Sequence, residues 1–252
     1  MSAAIPLSPA EAVVLLKPNV ANGLKAIKVT ALLLLSKGVL KLEQSEKPGL
    51  FGSKKVAHLR IAKEPPDLPA DAKAVVDIVR AAQADDGRLP ELVKRASKMW
   101  GAACLRFVTE LVRPLLIARD LIAEKQLLFI RVYQPTPAGE AERTRLEADL
   151  AKARDIPSVL KSDPARAAAI AASLGMVLLL DDTLTRQFKP IADALRVHRP
   201  PVDSPPSDGS LDFGSFDLSA FDLPALDTLD VGSFDAGFSG GDGGGGDSGG
   251  GS

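Results

Sequence analysis

The sequence is poor in the residues from which most catalytic and covalent devices are built. In 252 residues it has one cysteine, two histidines, one tryptophan and one tyrosine. A single Cys104 cannot close an internal disulfide, and its setting, Ala102-Ala103-Cys104-Leu105, suits a small buried thiol; both points fit a reducing compartment. His58 and His198 are far apart, and no His, Cys or carboxylate pair stands at metal-ligand spacing. A Gly-rich phosphate loop, a Gly-x-Ser-x-Gly elbow and a His-Glu-x-x-His pair are all missing, so no motif supports an enzyme and no cofactor or metal is implied. The adjacent pairs Asp85-Asp86 and Asp181-Asp182 fall at expected turns or helix starts, where capping accounts for them better than acid–base chemistry. Residues 1–7 lack the basic-then-apolar order of a secretory leader. The longest uncharged stretch of the core, 167–180, falls short of the ~18–20 residues that cross a bilayer. The expectation is a soluble, cytoplasmic and noncatalytic protein.

Positive charge is missing from the end of the chain. Residues 201–252 hold ten Asp, no Lys or Arg, and 13 of the 21 Gly. Residues 1–200 hold all 31 Lys and Arg against 22 Asp and Glu, a net of +9, so the overall −1 is a cancellation between a basic core and a tail of −10. Such a core is biased toward anionic partners, whether lipid headgroups, nucleic acid, an acidic protein face or its own tail.

What is present reads first as helices and hairpins. Ser8-Pro9-Ala10-Glu11 is a capping box with proline preset at the first helical position, and a short helix should run to about Lys17. Leu24, Ile27, Ala31, Leu34 and Leu35 fall at helical spacing over 23–36, and Gly38 is placed to stop that helix. Residues 39–43 and 55–61 alternate like strands, with Lys47-Pro48-Gly49 as the turn signal between them. Helix, helix, strand, turn, strand is a winged-helix layout. A looser second copy follows the break at Glu64-Pro65-Pro66-Asp67: a helix over 70–82, further helices marked by Leu92, Ala96, Trp100, Leu105, Val108, Leu111 and Val112, a kink or break at Pro114, and a strand over 127–133. Thr136 and Pro137 then open a polar helix over 138–154, Ser162-Asp163-Pro164 an Ala-rich helix ending near Gly175, and Asp182-Thr183 a last helix to about Arg196. The expected fold is mainly α with small β wings: a first winged-helix-like unit over 1–63, a second with C-terminal helices over 64–200, and a disordered acidic Gly/Phe/Asp-rich tail over 201–252.

Two sets of residues are candidates for binding. Lys25, Lys28, Lys37 and Lys41 flank the second helix, and Lys54, Lys55 and Arg60 lie in the first wing, where cations would meet phosphates. The helix that would enter a DNA groove, Val29-Thr30-Ala31-Leu32-Leu33-Leu34-Leu35, is apolar nearly all round, which argues for burial and against base reading. In the tail, Phe213, Phe216, Leu218, Phe221, Leu223, Phe234 and Phe238 alternate with Asp. Acid-flanked aromatic and leucine side chains in an unfolded segment stay soluble yet present anchors to a partner groove. The opposite charges of core and tail also allow an intramolecular contact, helped by an effective concentration on the order of millimolar.

The motifs Leu7-Ser8-Pro9-Ala10-Glu11-Ala12, Lys37-Gly38-Val39-Leu40, Thr136 to Gly139 and the Ala-rich 165–175 stretch resemble the cytoplasmic winged-helix region of bacterial predicted membrane proteins of unknown function. Members of that group carry glycine-rich tails and transmembrane helices, and this chain shares the first feature and lacks the second. A weaker resemblance, in Gly38-Val39-Leu40 and Asp163-Pro164-Ala165-Arg166, is to the Golgi-phosphoprotein family. That likeness implies a mainly helical fold with a phosphoinositide-binding basic surface, and it directs attention to Gly49-Leu50-Phe51-Gly52-Ser53-Lys54-Lys55, an apolar wedge beside two cations. The leading functional expectation is an adaptor whose tail docks another protein. The alternative is peripheral binding of anionic, phosphoinositide-like lipid by the basic core, which would make the protein membrane-associated, and third comes nucleic-acid binding.

Overall fold

A computed structural model describes residues 6–185 apart from 21, 50, 51 and 86, together with 190, 191, 193 and 197. The tail, 201–252, with its seven candidate anchors, lies outside the described residues. The chain is mainly helical with two small antiparallel hairpins, in the order α1 (Pro9–Leu16), α2 (Gly23–Ser36), β1 (Leu40–Gly49), β2 (Gly52–Ile61), α3 (Ala70–Gln83), α4 (Leu89–Trp100), α5 (Arg113–Ala118), β3 (Ile122–Leu127), β4 (Ile130–Pro135), α6 (Pro137–Ser162), α7 (Pro164–Leu174) and α8 (Asp182–Thr185).

Helix α1 begins as its capping box requires. The Ser8 backbone N–H donates to Glu11 Oε2 at 2.8 Å, and Glu11 N–H donates to Ser8 Oγ at 3.2 Å. Asn22 caps α2 by accepting from Lys25 N–H at 3.0 Å. The apolar run of α2 is buried, with Val29, Leu32, Leu33 and Leu34 all at 4% exposure or less. Gly38, at φ +67°, ends that helix in the left-handed region that glycine enters without strain. On α3, Ala72, Val75, Val76, Ile78, Val79 and Ala82 form the buried stripe expected of an amphipathic helix. One apolar core joins elements on both sides of residue 63: α1 packs against α2, α5 and α6, and α2 against α3.

Four expectations about boundaries need correction. Strand β1 runs through Lys47-Pro48-Gly49 instead of turning there, with Pro48 opposite Ser53 and Gly49 opposite Gly52. Each strand of a two-stranded sheet turns alternate N–H groups to solvent, and a proline at such a position costs no ladder bond. Residues 127–133 form no single strand; Leu127 pairs with Ile130, so the chain reverses at Leu128-Phe129. Pro114 does not end the helical path: a π-helical turn over Phe107–Val112 precedes it and Pro114 sits in the first turn of α5, where its missing N–H is harmless. Helix α6 continues past 154, through Pro157, to Ser162.

Two close backbone approaches fix the seating of α2 and α6, the first of them between the two halves of the chain. A Cβ on Gly23 would overlap the carbonyl of Cys104, and a Cβ on Gly139 would overlap the carbonyl of Leu121. At the second point Thr136 N–H donates to Leu121 O at 3.1 Å, and Gly139 N–H donates to Thr136 Oγ1 at 3.1 Å. The Thr-Pro-x-Gly start of α6 thus seats the helix directly on the end of the segment that leads into β3.

Candidate functional site

The expected anion-binding cations divide into two groups. Lys25 and Lys28, on the first turns of α2, both face Asp182, at 2.8 Å and 3.6 Å, and Lys28 is only 5% exposed. Lys41 lies 2.7 Å and Arg60 3.6 Å from the Glu43 carboxylate on the first hairpin. The Glu43 carboxyl is held below its usual range, chiefly by its hydrogen bond with Lys41. By register Lys55 lies opposite Glu46 and Lys54 opposite Lys47, and their side chains lie outside the described residues. Lys37 is the C-terminal cap of α2. The five described cations therefore do not converge on one point, and four of them pair with carboxylates of the same chain.

Several other polar groups are engaged within the fold. Asp181 accepts from the Thr183 hydroxyl, from Arg154 Nε at 2.8 Å and from Thr183 N–H at 2.9 Å; burial opposes its ionisation, but these hydrogen bonds outweigh burial and bring its pKa down to about 2. Asp181 thus takes the capping role expected of the pair, whereas Asp182 faces Lys25 and Lys28. Cys104 is fully buried, and burial pushes its thiol up to about 11. His58 is 5% exposed on β2, its Nε2 2.6 Å from Ser45 Oγ across the hairpin. Among the described residues no group of three His, Cys, Asp or Glu side chains is placed to hold a metal ion. No described helix is long and apolar enough to cross a membrane.

The feature that sequence reasoning missed is the outer half of the second hairpin. Its base is firmly held. Asn19 brackets the Tyr133 backbone, donating from Nδ2 to the carbonyl at 2.9 Å and accepting from the N–H at 2.8 Å. The buried Arg113 guanidinium lies 4.1 Å over the Tyr133 ring and donates to Pro18 O at 2.8 Å. Beyond that base, residues 124–131 are all exposed. At the tip are four consecutive apolar residues, Leu127 at 56%, Leu128 at 88%, Phe129 at 99% and Ile130 at 67% exposure. A run of four large exposed apolar residues is unusual on a protein surface in water. One signal in the sequence could have found it: the connection of the first hairpin, outside the described residues, reads Leu50-Phe51, and that of the second reads Leu128-Phe129. No family model, curated protein or solved structure matches the chain.

Proposed function

We propose that the protein is a noncatalytic adaptor: two winged-helix-like units, 1–63 and 64–200, carry an acidic-aromatic tail, 201–252, that docks a partner protein. The observation that carries this reading is the alternation of Phe213, Phe216, Phe221, Phe234 and Phe238 with ten Asp in a segment with no Lys or Arg. An inert spacer needs no phenylalanine, whereas a docking segment needs anchors that buried charge-free pockets accept and flanking carboxylates that keep the free segment in solution. The dispersal of the core cations, with Lys25 and Lys28 against Asp182 and Lys41 and Arg60 against Glu43, favours this reading over an anion site on the core. Burial of α2 likewise disfavours the nucleic-acid reading, since its residues are not free to enter a groove.

The test compares proteins captured from the native cytoplasm by the full chain, by residues 1–202 and by a variant with the five tail phenylalanines changed to alanine. The expected result is one identified protein retained by the full chain and lost from both altered forms. Equal recovery by all three would make the tail a spacer and end the adaptor reading.

A further inference from the structure

We propose that the tip of the second hairpin, Leu127-Leu128-Phe129-Ile130, is a wedge that inserts into the surface of an anionic lipid bilayer. The inference stands apart from the tail reading, because it concerns a different segment and a different class of partner.

Shape comes first. Residues 124–131 are exposed, so the hairpin projects by three residue steps on β3, about 10 Å at the usual strand rise, and by one on β4, where Val132 is half-buried and Tyr133 buried. The tip is convex, with Phe129 at 99% exposure, and has no concavity of its own. A protein partner would have to supply a pocket shaped for four side chains. A bilayer accepts a convex apolar tip by parting its headgroups, and the boundary between headgroups and acyl chains lies ~5–10 Å deep, within the reach of this hairpin.

Charge then follows depth. The register places Arg131 opposite Gln126, one step behind the Leu127–Ile130 pair, and Lys125 opposite Val132, two steps behind. With the tip in the acyl region, these two cations fall at the level of the lipid phosphates, roughly 3 and 7 Å back. Glu124 lies 3.5 Å from Arg131 and is the one carboxylate on the exposed arm. It sits opposite Tyr133, three steps behind the tip and one step behind Lys125, and shares Arg131 with the lipid phosphates. The order apolar, cationic, anionic along the hairpin is the order that an anionic interface selects. Attachment at the base by Asn19, Arg113 and Thr136 makes the hairpin a fixed projection whose insertion orients the whole domain.

The experiment is co-sedimentation of the full chain with vesicles of phosphatidylcholine alone and of an equimolar mixture with phosphatidylserine. Three forms are compared: the natural sequence, Leu128→Ser with Phe129→Ser, and Lys125→Glu with Arg131→Glu. The natural chain is expected to bind the mixed vesicles, more weakly as salt rises. The serine variant should bind at least about tenfold more weakly, the shift that follows from losing one fully inserted side chain of this size. The charge variant should lose its preference for the anionic mixture while keeping weak binding to both. A Phe129→Trp variant gives an independent reading, since its added emission should shift to the blue with mixed vesicles. Failure of the natural chain to bind mixed vesicles, or equal binding by the serine variant, would overturn the proposal. So would a doubling of solution mass that the serine variant abolishes, because the tip would then be covered by a second copy. Loss of the tail phenylalanines should leave vesicle binding in place, which separates this outcome from that of the tail test.

Discussion

Asp71 carries an unusual burden for a carboxylate. It is 1% exposed at the start of α3, and its Oδ2 has no hydrogen-bond partner among the described residues. Burial raises its pKa from 3.8; a hydrogen bond with Ser8 opposes the rise, and the neighbouring Glu11 charge adds to it. The folded protein therefore holds the Asp71 proton more tightly than the unfolded chain does, so stability falls as pH rises from the unfolded pKa through the folded one. Asp71→Asn replaces the group by one that needs no proton. It should leave stability near pH 4 almost unchanged and raise it by about 1–3 kcal/mol at pH 7.5, the usual cost of a buried polar group without its partner. Urea unfolding at the two pH values checks this, and a variant destabilised at pH 7.5 would show that the charged carboxylate is paired after all. Nearby Glu11 illustrates how much one residue reveals in sequence. Its capping box with Ser8 is local and legible, but its 2.6 Å contact with Arg119 joins residues 108 positions apart, and no spacing rule reaches that far.

At the scale of elements, the start of α6 is the most constrained junction. Gly139 must lack a Cβ because the Leu121 carbonyl occupies that space, and backbone cannot yield as a flexible side chain would. Gly139→Ala should destabilise the fold by about 2–3 kcal/mol, whereas the same change at the open Gly38 meets no neighbour and is opposed only by its φ of +67°. Thermal unfolding of the two variants separates steric overlap from backbone strain. A Gly139→Ala protein as stable as the natural one would mean that α6 shifts freely on Leu121. Elements with local signals were legible: the caps Ser8, Thr136 and Asp163, the period of α2 and α3, and Gly38 as a stop all lie where local physics puts them. The second hairpin was not, for a physical reason. Two-residue hairpin turns usually announce themselves with Asn-Gly or Asp-Gly, because they demand positive φ. Here Leu128 adopts φ +54° and the turn is written in the apolar residues of a strand. The apolar pattern pointed to a single strand over 127–133, and the tip that the fold leaves in solvent was hidden inside that reading.

The molecule as a whole is divided by charge, with +9 on residues 1–200 and −10 on residues 201–252. Charges on one chain cannot diffuse apart, so a flexibly tethered tail would meet the core at an effective concentration on the order of millimolar whatever the bulk concentration of protein. A contact with a millimolar dissociation constant would then be about half occupied, and any anionic surface must compete with it. The core gives such a contact a target even though many of its cations are paired, because field strength at a surface depends on net charge as well as on free side chains. Removing residues 203–252 should therefore strengthen binding to mixed phosphatidylcholine and phosphatidylserine vesicles by about twofold or more at low salt. The gain should vanish near 1 M salt, where the screening length falls to about 3 Å. Vesicle titrations of the two chains across a salt series decide the matter: equal affinity at every salt concentration would show that the tail leaves the basic core uncovered. A gain that persists at high salt would assign the masking to the phenylalanines, since apolar contacts are not screened.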